Sequence, residues 1–377
     1  MAREYFHSLT GSTHPALQRH GDTDPSTPVA CAADNSGTTQ SRPEPTKLRP
    51  KTEAPDETRS QLMKRVITGF AVTSCLLVAA TPSLAAANNA SYSSDDGNFF
   101  FFAGLGLANI KAHAFVYDGD HKNSQLNWES KGMTLFTVGV DAQIDNDWSL
   151  KGSVKVGTGG TGHMVDYDWA SPGHDDWSHR SIHPLTELDH YVAGAIQLDR
   201  IIYGNETSSM AVGAGVQYTD LKWTAYGGSG IYTEERFRDT PVAWPDWEKS
   251  ISYRQQIPIG FVSLSGEHVL GDLTISGGLQ TGLSFGIKYT DDHWLRGLRF
   301  HGDIDPAPTI GATFDLNYAV TPAASIYLSG SFEQVFRSHG DMQIDDTSKG
   351  TSSAWEKDAV GANFQSMSIS LGLKATF

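Results

Sequence analysis

The chain has 377 residues, a net charge of −15, 39% apolar residues, 38 glycines and two cysteines. So acidic a balance excludes nucleic acid as a partner, because a phosphate backbone is held through clustered Lys and Arg. The negative mean hydropathy does not exclude a membrane barrel, whose strands cross with about ten residues and offer only every second one to lipid.

Residues 1–62 are rich in Thr, Pro, Ser and charge and lack an apolar period, so they read as a disordered extension or as no part of the working protein. Met63-Lys64-Arg65 then gives a basic start and Val66 to Ala80 an apolar run. Ser83-Leu84-Ala85 or Ala85-Ala86-Ala87 supplies small residues for cleavage. That makes 63–87 a signal peptide and Met63 the expected natural start. Cys31 and Cys75 both precede the cut, so the exported part, 88–377, keeps no thiol.

Within 88–377, apolar residues recur with period two in ten runs, at roughly 99–117, 126–144, 148–164, 188–203, 208–226, 250–265, 271–289, 307–320, 324–338 and 361–377. In the last run Met367, Ile369, Leu371, Leu373, Ala375 and Phe377 alternate with Ser368, Ser370, Gly372, Lys374 and Thr376. A closing barrel strand that ends on an aromatic reads this way. Connections at Asp145-Asn146-Asp147, 204–207, 266–270 and 321–323 are short. Those at 165–187, 227–249, 290–306 and 339–360 are long, with a medium one at 118–125. Strict alternation of this kind assigns short turns and both termini to the periplasm, and long loops to the outside. The expected fold is all-β, a ten-stranded antiparallel transmembrane β-barrel with long extracellular loops.

Two polar pairs stand at the tops of up-going runs. Asp166 and Asp168 follow the third, Asp291 and His293 the seventh, and residues two apart in an extended chain point the same way. An Asp beside a His orients the ring and favours its charged form, as in a water-activating base, while paired carboxylates share a proton. Counting alternation from Leu150, Val154 and Val156, or from Leu283, Phe285 and Ile287, puts all four on the outward parity, so a bulge or break is required in both runs. Gly157 to Gly162 supplies one on the third; the seventh offers no equally clear device. His163, His174, His179, His183 and His190 are too irregularly spaced for a zinc site, and no metal or other cofactor is expected.

Several segments together resemble the omptin family of bacterial outer-membrane proteases: Gly159-Gly160 with Met164-Val165-Asp166-Tyr167-Asp168-Trp169, Ser181-Ile182-His183-Pro184, Gly227-Gly228-Ser229-Gly230-Ile231-Tyr232 with Phe237-Arg238-Asp239, Asp291-Asp292-His293, and Ser124-Gln125-Leu126-Asn127-Trp128. They run in family order over about residues 98 to 377. The resemblance implies a ten-stranded barrel with a proteolytic groove facing out of the cell. In it Asp166 and Asp168 match the family's aspartate couple, and Asp291 and His293 its dyad. His293, oriented by Asp291, would deprotonate a water, while the aspartate couple positions it and stabilises the developing charge. Ser181, beside His183 in a long loop, reads as a groove residue. A non-catalytic barrel of the same fold, acting as an adhesin or surface-interaction protein, is the alternative.

The chain departs from the family where specificity is set. Ala114 and Tyr289 stand at the two acidic substrate-binding positions, and His179 where an acid is expected on the leaving side, so the family's preference for basic residues is not assured here unless other acids, such as Asp175, Asp176, Glu234 and Glu235, compensate. Val216, Tyr218, Asp220 and Gln256 occupy the places of the family's lipopolysaccharide pattern. Lipopolysaccharide and outer-membrane lipid remain expected neighbours, with lipopolysaccharide a candidate activator.

Overall fold

The computed structural model describes residues 99–376; the segments expected to be an extension (1–62) and a signal peptide (63–87), and Phe377, lie outside the described residues. Fourteen strands are formed: β1 (Phe99–Asp118), β2 (His121–Gln143), β3 (Trp148–Thr158), β4 (Thr161–Asp168), β5 (His179–Gly204), β6 (Ser208–Tyr232), β7 (Thr240–Leu270), β8 (Leu273–Ser284), β9 (Ile287–His293), β10 (Leu298–Ile304), β11 (Ala307–Thr321), β12 (Ala324–Asp346), β13 (Thr351–Ser352) and β14 (Glu356–Thr376). They make ten staves, because β3 and β4 both pair with β2 and β5, β8 and β9 both with β7, and β10 and β11 both with β12, while the two-residue β13 lies off the ring on β12. β14 pairs antiparallel with β1, Phe100 opposite Thr376, and so closes the ring. Closure leaves no open sheet edge, which a strand in lipid requires.

The staves are longer than the sequence period suggests. β7 alone has 31 residues, roughly three times what a crossing needs. Much of what reads as long outer loops is therefore strand, including the start of β5, the start of β7, the β9–β10 hairpin and the end of β12. The 118–125 connection contracts to a turn at Gly119-Asp120. The alternation fades there because the outer face meets water instead of lipid and carries polar side chains.

That change of solvent divides the barrel. In the lower part Phe101, Leu105, Val138, Ile196, Val262 and Leu371 point out and are exposed, as an apolar belt facing lipid must be. Inside, a polar cavity of about 410 Å³ is lined by Lys151, Lys155, Glu267, Gln280, Asp315 and Lys374 among others. In the upper part the pattern inverts. Ion pairs such as Lys131–Glu129, Arg254–Asp220 and Lys288–Asp303 decorate the outer wall. Leu126, Trp128, Met164, Leu221, Trp223 and Tyr253 fill the inside.

Two breaks mark the boundary on the staves that carry the polar pairs. Between β3 and β4, Gly159 and Gly160 adopt φ of 68° and 86°. A side chain on Gly160 would press on the Lys131 carbonyl at 2.8 Å. Between β8 and β9, Phe285 points outward, Gly286 adopts φ of 76°, and Ile287 is fully buried. Each break inserts one residue into the alternation and turns the following strand over. Gly286 is thus the device that the sequence did not reveal on the seventh stave.

Candidate active site

With the alternation reset, β4 presents Met164, Asp166 and Asp168 inward, and β9 presents Ile287, Tyr289, Asp291 and His293 inward. Asp166, Asp291 and His293 are 6%, 4% and 8% exposed. His293 Nε2 lies 3.3 Å from Asp291 Oδ2, which fixes the ring and leaves Nδ1 as its free nitrogen. Phe300, opposite Asp291 on β10, packs edge-on against the imidazole at 5.1 Å.

On the other wall the Ser124 hydroxyl donates to Asp166 Oδ1 at 3.2 Å. Burial, and then the charge of Asp168, hold the Asp166 carboxyl well above the usual carboxylate range. Arg296 pulls it back and Asp291 adds to the rise. Asp166 on β4 and Asp291 on β9 are therefore within electrostatic reach of each other, as are His183 and His293. The two polar pairs, 125 positions apart in the sequence, are both turned into the upper interior of the barrel.

Ser181 and His183 do not lie in a loop. β5 begins at His179, and Ser181 is the buried cross-strand neighbour of Asp166. His183 donates from Nδ1 to the Gly227 carbonyl at 2.5 Å, so Nε2 accepts from the Ser181 hydroxyl at 2.9 Å. Burial lowers the His183 pKa to about 4, and the imidazole is neutral at physiological pH. Ser181 spends its proton on His183, and Asp166 draws its hydrogen bond from Ser124 instead. Gly228, at φ of 110°, lies so close beneath this ring that a Cβ there would sit 2.7 Å from Nδ1.

The three positions expected to bind substrate are all buried. His179 stands opposite Asp168, with Nδ1 2.8 Å from Ser178 Oγ and its ring against Tyr232. Ala114 and Tyr289 belong to the apolar core below the groove. Tyr289 packs on Tyr253 at 5.5 Å between centroids, and Trp128 stacks on both Tyr253 and Trp223. Gly302 makes room for the Tyr289 ring, since a Cβ there would lie 2.2 Å from its Cε1. On the outer wall, Gln256 donates to the Tyr218 hydroxyl at 2.7 Å, and Asp220 is engaged by His190 and Arg254.

Ser124, which donates to Asp166, and Tyr232, which packs on His179, both belong to segments that carry the family likeness, but nothing in the sequence gives either a role.

A closed ring of staves with a lipid-facing belt, an apolar core in its upper interior and buried polar pairs above the belt defines an outer-membrane β-barrel with a candidate hydrolytic site. The Omptin family model matches residues 96–377, three quarters of the chain, and the chain belongs to the omptin family. Among its relatives are an outer membrane protease, OmpP, of Escherichia coli strain K12, 27% identical over 72% of this chain and 88% of the relative, and the plasminogen activator of Yersinia pestis, 24% identical over 74% and 90%. The crystal structure of the outer membrane protease OmpT from Escherichia coli superposes with a TM-score of 0.70 at 25% identity, covering 77% of this chain and all of that one.

Proposed function

We propose that this chain is an outer-membrane endopeptidase that hydrolyses peptide bonds of extracellular peptides or proteins with an activated water. The observation that carries the reading is that a glycine break turns Asp166 and Asp168 on β4, and Asp291 and His293 on β9, into the upper interior of the barrel, with Asp166 within electrostatic reach of Asp291. The named activities of the family relatives support it.

In this reading the water lies between the aspartate couple and the His293 imidazole. Its oxygen attacks the scissile carbonyl carbon as His293 Nδ1 takes its proton, and Asp291 steadies the imidazolium through Nε2. Collapse breaks the C–N bond, His293 returns the proton to the leaving nitrogen, and a carboxylate and an amine depart. Asp166 and Asp168, sharing a proton, hold and orient the water. No covalent intermediate or cofactor is required. The floor at Ala114 and Tyr289 takes an uncharged side chain, because a buried Lys or Arg without a carboxylate costs several kcal/mol. Lipopolysaccharide is a neighbour of the outer wall, and the groove faces out of the cell.

Full-length protein refolded with lipopolysaccharide should cleave members of a mixed peptide library. His293→Ala or Asp166→Ala should lower that rate about 10³-fold, with heat-modifiable migration of the barrel unchanged. Undiminished cleavage in both variants would remove these residues from the mechanism. Failure to cleave any peptide would favour the adhesin.

A further inference from the structure

The wall beside the aspartate couple carries side chains that the hydrolytic step does not use. Residues directly opposite in antiparallel strands share a face, so the register fixes what that wall is made of. Asp166 of β4 stands opposite Ser181 of β5, Ser181 opposite Gly230 of β6, and Gly230 opposite Val242 of β7. Two residues to one side, Asp168 stands opposite His179 and Tyr232 opposite Thr240. Two residues to the other, Met164 stands opposite His183 and Gly228 opposite Trp244. Because Asp166 is turned inward and buried, Val242, Trp244 and Tyr232 belong to the interior face as well.

On β6 this face carries no side chain at Gly228 or Gly230. A Cβ on Gly230 would lie 3.0 Å from Val242 Cγ2, and one on Gly228 would lie 2.7 Å from His183 Nδ1. The bare backbone lets side chains from both neighbouring strands lie over it. Trp244 stacks on His183 at 5.6 Å between centroids and meets the Tyr232 ring at 6.1 Å, and Tyr232 packs edge-on against His179 at 5.0 Å. The result is a continuous chain of four rings that begins beside Asp168 and ends beside Met164. Its members are uncharged at physiological pH: burial lowers the pKa of His179 and that of His183, the latter to about 4, and pushes the Tyr232 phenol up to about 12. His179 and His183 are buried, whereas Tyr232, Val242 and Trp244 are only half-buried and keep part of their apolar surface open. A bulky apolar side chain gains most from such a surface, by area removed from water and by ring contact.

We propose that Tyr232, Val242 and Trp244 form a substrate subsite that takes an aromatic or large aliphatic side chain next to the scissile bond, on the flank bordered by Asp166 and Asp168. The inference rests on the endopeptidase reading and gives it a substrate class, peptides with a bulky apolar residue on one flank of the cut.

The test uses the full chain refolded as above. A peptide that the wild-type protein cleaves is resynthesised with Phe, Leu or Ala at each of the two residues flanking the cut. At one flank Phe and Leu should exceed Ala in kcat/KM by about 10- to 100-fold. Trp244→Ala should bring that ratio to within about threefold of unity, and Trp244→Phe should retain most of it. Val242→Phe, which fills the subsite instead of emptying it, should turn the preference toward Ala, and it carries the test if Trp244→Ala loses the heat-modifiable migration of the folded barrel. Variants that merely disturbed the packing around Ser181 and His183 would slow every peptide alike; an unchanged ratio in Trp244→Ala and Val242→Phe overturns the subsite. Trp247 is 79% exposed, and Trp247→Ala should keep the wild-type ratio; an equal loss there would overturn the assignment too. If the wild-type chain cleaves, His293→Ala does not, and neither flank prefers Phe or Leu over Ala, this inference fails and the endopeptidase reading stands. A wild-type chain that cleaves nothing removes both.

Discussion

The two halves of the barrel solve opposite problems with the same strand. Below, lipid demands an apolar exterior, and side chains alternate regularly from Phe101 to Leu107 or from Met367 to Leu373. Above, water demands a polar exterior, the interior becomes the apolar core, and the alternation is repeatedly interrupted. Among the described residues, the glycines with positive φ inside the staves, at 132, 159, 160, 227, 228 and 286, all lie at or above the boundary. Regular backbone suffices to cross a bilayer, whereas side chains aimed at one point need local departures from it.

Removing Gly286 is the sharpest way to break that contrast. A one-residue deletion should restore the parity of β8 through β9, turn Asp291 and His293 onto the outer wall, and cost about 10³-fold in peptide cleavage, as much as losing the base. The belt should remain intact, read as unchanged heat-modifiable migration. A functional deletion variant would show that the break does not set the face.

Next in size is a pair of glycine substitutions, one in each half. Gly228→Ala forces a Cβ onto the Ile182 carbonyl and the His183 ring at an unfavourable φ and should cost about 1–3 kcal/mol, seen as a lower urea midpoint together with reduced turnover. Gly152→Ala, in the belt, meets nothing nearer than 3.6 Å and should leave both quantities close to wild type. Equal effects would deny that the halves differ in tolerance.

A smaller effect is expected at the floor. Tyr289→Asp places a carboxylate beneath the groove and should raise kcat/KM for peptides with a basic residue at the cut relative to neutral ones by about tenfold. An unchanged preference would mean that the side chain beside the scissile bond goes elsewhere.

The smallest effect is a linkage. The folded pKa of Asp166 is raised, chiefly by burial. Its stabilising share is present below the unfolded carboxylate range, about pH 4, and is lost as pH rises through the folded value. Asp166→Asn carries no such dependence, so its stability relative to wild type should grow as pH rises from about 4 and then level off. Urea titrations at several pH values read the difference; a constant gap would mean that the carboxyl is not perturbed.

Ten staves, their order and the short turns were legible because lipid imposes a strict period on the lower half. The four proposed catalytic residues were legible from spacing and family likeness. The face they occupy was not, since one extra residue at Gly286 reverses every side chain beyond it and a lone glycine in a sequence does not announce its φ. The strands hidden in the outer segments were missed for the same reason: with polar residues outside and bulges within, β5 above Leu188 and β7 above Ile251 lose the contrast that marks a strand.

The rings of Trp128, Trp223, Tyr253 and Tyr289 pack in series within the apolar core of the upper barrel. If Tyr289 borders the bound substrate, as the family likeness implies, one ring would serve both the packing of this layer and the choice of substrate. Any drift toward a wetter, charged recognition pocket there would then have to be matched by new ballast beneath it.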